Sequence, residues 1–205
     1  MVRRGIFKKP RGARSIILFV HGPGKSCLSP RNRLVAQALV RRGFAVLLPD
    51  LADNEDATVG NNPPQDSQYV DRIATRLTSI IDWLEIHPRT RNLGIGLFGV
   101  RSGAAAAMIA AAKRPDKVKA VISRGGHLNH CDEFLEQVSA PTLMIVGGRD
   151  EAHIGSSRRA CGKMGRKPML ELVQGASDLF HEPGMMEKVA SMACLWFLHH
   201  LIVCR

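Results

Sequence analysis

The chain has 205 residues, enough for one domain around one core and too few for two full-sized ones. Its hydrophobic share of 45% and charged share of 23% are those of a soluble globular protein, while aromatics are only 5%, so Leu, Ile, Val and Ala must fill the interior. Lys and Arg number 29 against 18 acids, and the formal charge of +11 favours anionic partners.

Part of that excess lies in residues 1–14, where Arg3, Arg4, Lys8, Lys9, Arg11 and Arg14 face no acid. The stretch reads as a basic N-terminal arm, either solvated or touching nucleic acid, phospholipid or another acidic partner. No aromatic residues interleave to give bases a stacking platform. No apolar stretch precedes the first strand, so a secretory signal is not expected.

Residues 15–20 form a continuous apolar run ending in His21-Gly22, the pattern of a parallel strand buried on both faces. Ser29-Pro30 predicts a helix start, with Ser29 as N-cap and proline in the first turn. Leu34, Val35, Ala38 and Leu39 share one face of that helix, and Gly43 ends it. A strand is expected over 44–48, then a loop over 52–66 rich in Asn, Asp, Gly and Pro. Ile73, Leu77, Ile80, Ile81 and Leu84 mark a long amphipathic helix closed by Pro88. Strands follow at 93–98, 118–123, 142–146 and 169–173. Between and after them stand helices at 102–113, 132–138, 156–164 and 184–201.

Strands alternating with helices imply an α/β fold: a three-layer sandwich whose mostly parallel sheet carries helices on both faces, with no large cap domain. The arm over 1–14 is followed by this domain over 15–205. Active loops are expected at the carboxyl edge of the strands. The apolar run 189–203 contains His199 and His200 and is shorter than the roughly 20 residues of a membrane span, so it reads as a buried last helix. The cysteines Cys27, Cys131, Cys161, Cys194 and Cys204 are odd in number and form no CxxC pair. That argues against a disulfide framework or structural zinc and suits a reducing, cytoplasmic compartment.

Gly24-Lys25-Ser26 resembles the end of a phosphate-binding loop, but Phe19 stands where the required glycine belongs. His127, His130, Cys131 and Asp132 fall in one loop with nothing to fix a coordination geometry, and His199 and His200 read as partly exposed helix neighbours. No metal and no cofactor are expected.

A strand, a tight glycine turn and a small-residue helix form the setting of the nucleophile elbow, G-x-S-x-G. Here it reads Gly99-Val100-Arg101-Ser102-Gly103, followed by Ala104 to Ala107. With it come Ser29-Pro30-Arg31-Asn32-Arg33, Ser123-Arg124-Gly125-Gly126, Ala140-Pro141-Thr142, Val146-Gly147-Gly148-Arg149-Asp150, Gly175-Ala176-Ser177, Leu179-Phe180 and Glu182-Pro183-Gly184. In this ordered series, over nearly its whole length, the sequence resembles the dienelactone-hydrolase-like branch of the α/β-hydrolases.

The resemblance implies a triad of nucleophile, acid and histidine at Arg101, Asp150 and Asp178, two of which depart from the family pattern. A guanidinium stays protonated and cannot attack a carbonyl. An aspartate, with a reference pKa near 3.9, is a poorer base at neutral pH than an imidazole near 6.5. The two replacements complement each other, since Arg101 can bridge Asp178, and Asp150 as well, through its donor fork. Ser102 and His181 lie close to the vacated positions and with Asp150 would make a displaced triad. The oxyanion corner implied by the family falls at His21 and Gly22 together with the Ser102 amide, and would hold an anion even without a nucleophile, or else is a turn kept for packing.

Three readings follow. The chain is a hydrolase-family protein that has lost serine chemistry and binds a small molecule or anion in the residual pocket, or serves as an interaction module. Alternatively it is an unorthodox carboxylic-ester hydrolase using Ser102, Asp150 and His181, or a basic nucleic-acid- or membrane-associated protein using its arm.

Overall fold

The run Ile16-Ile17-Leu18-Phe19-Val20 carries apolar side chains to both sides of the backbone, and each is fully buried. A strand with that pattern must lie inside a sheet covered on both faces. The computed structural model describes residues 5–22, 29–51 and 67–201. The loop expected over 52–66 and the segment holding Gly24-Lys25-Ser26 lie outside the described residues, as do Cys27 and Cys204.

Seven strands form one sheet: β1 (Gly5–Lys8), β2 (Ser15–His21), β3 (Ala45–Pro49), β4 (Gly94–Val100), β5 (Val118–Arg124), β6 (Thr142–Gly147) and β7 (Met169–Val173). Their order is β1-β3-β2-β4-β5-β6-β7. Only β1 runs antiparallel to its neighbour. Within the stretch read as a basic arm, Gly5–Lys8 is therefore the edge strand, paired with β3.

Among the described residues the helices are α1 (Pro30–Arg41), α2 (Ser67–Ile86), α3 (Ser102–Lys113), α4 (Glu151–Lys163) and α5 (Met185–Leu201), with a 3-10 turn at Asp132–Gln137. Helices α2 and α3 pack on one face of the sheet, and α1 and α5 on the other. Helix α3 is buried on every side, from Ser102 through Ala112. Only a helix made chiefly of alanine fits so closely between a sheet and a second helix. Here the low aromatic content finds its use.

One helix cap and one helix start differ from expectation. Ser29 makes no capping bond with its side chain; the start of α1 rests on Pro30, whose fixed φ suits the first turn. Helix α4 begins at Glu151 rather than 156, because Asp150 caps it and accepts from His153 N at 3.3 Å. The 132–138 helix is a 3-10 turn. Among the described residues no helix is long and apolar enough to cross a membrane, and Cys131, Cys161 and Cys194 are free thiols.

Phe19 on β2 and Phe98 on β4 lie side by side in the α1/α5 core, ring centroids 4.9 Å apart and both fully buried. Phe19→Ala should cost about 3–5 kcal/mol through lost transfer energy and the cavity left behind. Urea denaturation should show this as a lower midpoint with an unchanged slope.

Candidate active site

After β2 the chain adds β3 on one side and later β4 on the other. A sheet that reverses direction in this way opens a crevice at the carboxyl ends of its two central strands. His21 and Val100 pair across that point, and Gly22 and Arg101 follow them.

Arg101 caps α3 with φ 53° and ψ −124°, a conformation that L-residues seldom adopt. It is the sharp strand-to-helix turn that lifts a nucleophile above a sheet in elbow motifs. The turn needs its glycines. A Cβ on Gly99 would sit 2.6 Å from Ala104 Cα, and one on Gly103 would run into the backbone of Val20. The elbow is therefore built in full, with a guanidinium at its centre.

Arg101 Nη1 donates to Asp178 Oδ2 at 3.1 Å, and both side chains are partly exposed. Asp150 takes no part in this pair. Its Oδ1 caps α4, and its Oδ2 lies 2.6 Å from His153 Nδ1, a close contact that does not form a hydrogen bond. An acid and an imidazole thus stand together, but the imidazole is His153. A helix expected from 156 leaves His153 in the preceding loop, whereas α4 begins at Glu151. An aspartate taken as N-cap would have placed His153 one turn on, beside it.

Ser102 is buried, its Oγ has no hydrogen-bond partner, and it faces Gly22, where any Cβ would collide with it. His181 is exposed and contacts Ser177 Oγ through Nδ1 at 3.2 Å. Ser102, Asp150 and His181 are not brought together. His21 is buried, and its ring nitrogens each lie 3.0 Å from a backbone carbonyl, of Gly22 and of Pro49. Its imidazole links the ends of β2 and β3 and is spent on the backbone.

Beside the elbow lies a cavity of about 330 Å³ reached by Arg101, Ser102, His127, His130, His153 and Ser156. His127 stacks on His153 with ring centroids 4.5 Å apart and planes 21° from parallel. Burial pulls His127 down to about 4, with His153 and Arg101 pushing the same way. It is neutral at physiological pH. Among the described residues no three His, Cys, Asp or Glu side chains converge in a set that could hold a metal ion.

Residues 5–171 match the dienelactone hydrolase family. The crystal structure of dienelactone hydrolase from Anabaena variabilis is 41% identical, with a TM-score of 0.89 over 96% of this chain and 91% of that one. Est1E from Butyrivibrio proteoclasticus shares the fold at 16% identity, with a TM-score of 0.79 over 97% and 94% of the two chains. Two Mycobacterium tuberculosis proteins provisionally named phosphoribosyl transferases are 43% identical over 194 residues. The match takes in 95% of this chain but 42% of theirs, so the chain spans less than half the length of those relatives.

Backbone strain at a non-glycine residue of this kind costs about 1–3 kcal/mol, whereas a partly exposed ion pair contributes about 0–1 kcal/mol. A glycine at 101 costs about 0.5–1 kcal/mol in unfolded-chain entropy. Arg101→Gly should therefore leave stability unchanged or raise it by about 1 kcal/mol; a loss larger than that, in chemical denaturation, would mean the turn is not strained. His127 supplies a pH dependence. Its folded value lies below the unfolded value of about 6.5, so the unfolded chain binds more protons between the two. Stability should fall as pH drops through that window, and the melting temperature of His127→Gln should fall less between about pH 7 and pH 5.

Proposed function

The chain belongs to the dienelactone hydrolase family, and we propose that within it this protein has given up serine hydrolysis and uses the residual pocket to bind a small molecule. The supporting observation is the Arg101–Asp178 pair. A permanent cation occupies the strained centre of the turn, with no lone pair to offer a carbonyl. Asp178, at the imidazole's place in the family pattern, is engaged with that cation. The surroundings remain suited to binding: a cavity with histidine and serine walls and Arg101 at its edge. The transferase name of the mycobacterial relatives attaches to proteins of which the shared region is 42%, so we assign no phosphoribosyl transfer to this chain.

One observation favours a second reading, in which hydrolysis survives. Asp150 and His153 form an acid–imidazole pair at the cavity wall, so His153 rather than His181 would serve as base for Ser102 or for a water molecule.

Turnover of p-nitrophenyl acetate separates the two. Under the binding reading the wild-type protein shows none above the buffer rate, and Ser102→Ala and His153→Ala change nothing. Because the elbow keeps its geometry, Arg101→Ser combined with Asp178→His should gain turnover by about tenfold or more over the wild type, a change of about 1.4 kcal/mol in the barrier. Wild-type turnover that disappears in His153→Ala would establish the second reading instead.

A further inference from the structure

Arg124 ends β5 on the same face as Ala120 and Ile122, and so points into the α1/α5 core rather than out of it. It is 6% exposed. Its Nη1 donates to the thioether of Met186 at 3.3 Å, its guanidinium carbon stands 5.8 Å from the centre of the Phe180 ring, and its Nε has no hydrogen-bond partner. No carboxylate among the described residues forms an ion pair with it. A buried guanidinium normally comes with an acid, because desolvation is costly unless a counter-charge and hydrogen bonds offset it. A sulfur and a ring face are weak substitutes.

Two more cations stand nearby. Arg31, in the first turn of α1, donates through Nη1 to Leu179 O at 3.2 Å, and Arg101 donates to Asp178. Three arginines from three elements thus contact three successive residues, 178 to 180. Their mutual repulsion adds to burial in pulling Arg124 down to about 10. Asp178 neutralises one of the three charges, and the other two find no acid among the described residues.

We propose that Arg31, Arg101 and Arg124 form a seat for a terminal phosphate group, free or carried on a small molecule, and that the Asp178 carboxylate holds part of that seat when it is empty. The charge balance selects the class. A phosphate monoester is a dianion near neutral pH and matches the two unbalanced cations, and planar guanidinium forks suit its oxygens. A phosphodiester in a nucleic-acid backbone carries a single charge and is flanked by chain on both sides, so it is poorly suited to an arginine only 6% exposed. The inference rests on the binding reading above and extends it from the cavity, which Arg101 lines, to the arginines around residues 178–180.

Calorimetric titration of the full chain tests it, with inorganic phosphate and glycerol 3-phosphate as probes and acetate as the monoanionic control. Phosphate should bind and acetate should not; a monoester that binds more tightly than inorganic phosphate marks the carried group as the source. Asp178→Asn removes the competing carboxylate and should tighten binding about tenfold, while Arg31→Gln and Arg124→Met should weaken it about tenfold or more. Should Arg124→Met fail to fold, the opposite signs expected for Asp178→Asn and Arg31→Gln still decide. Absence of binding in both wild type and Asp178→Asn would overturn the proposal. So would acetate binding as tightly as phosphate, or phosphate binding indifferent to Arg31 and Asp178, as expected of general attraction to a basic protein. Ester turnover on the same samples keeps the parent reading separate: silence in both assays sinks only the phosphate seat, whereas turnover lost in His153→Ala sinks the reading beneath it.

Discussion

Everything at this site depends on how closely α3 is pressed against β2 and β4. The turn at Arg101 exists because Gly99 and Gly103 let a helix backbone approach two strand backbones more closely than any side chain would allow. That approach fixes residue 101 at positive φ and aims its side chain over the strand ends, whatever the side chain is. The geometry is a property of the packing, and a guanidinium occupies it.

The charge pattern follows from that placement. A cation delivered to the mouth of the crevice needs an anion, and Asp178 supplies one from the loop after β7. Asp150 has gone elsewhere, holding the start of α4 and approaching the ring of His153. Arg101, Asp178 and Asp150 thus fall into two separate pairs: Arg101 with Asp178, ionic and partly exposed, and Asp150 with His153, at the edge of a cavity with a stacked histidine behind it.

The fold was legible in the sequence because its signals were local. The uninterrupted apolar strand 15–20, the alanine helix 102–113 and the periodic face of 73–84 each describe their own burial. What escaped was set by neighbours. Ile6 and Phe7 lie among lysines and arginines, and only pairing with β3 makes them a strand. Asp150 looked like a loop residue because its role as a cap depends on the helix that follows. Arg124 closes an apolar run as any solvent-facing arginine would; its burial comes from Phe180 and Met186, more than fifty residues further along the chain. At the candidate site the glycine turn over 99–103 could be read in advance. The partner of Asp150 could not, since it depends on which way a side chain turns.

Helix α3 shows its neighbours mainly methyl groups. Such a surface has almost nothing left to trim and no room to enlarge, because the sheet and α2 already touch it on both sides. Recontouring of the crevice over evolutionary time would then fall to the connections at its rim, leaving its floor as a constant inherited by proteins with unrelated appetites.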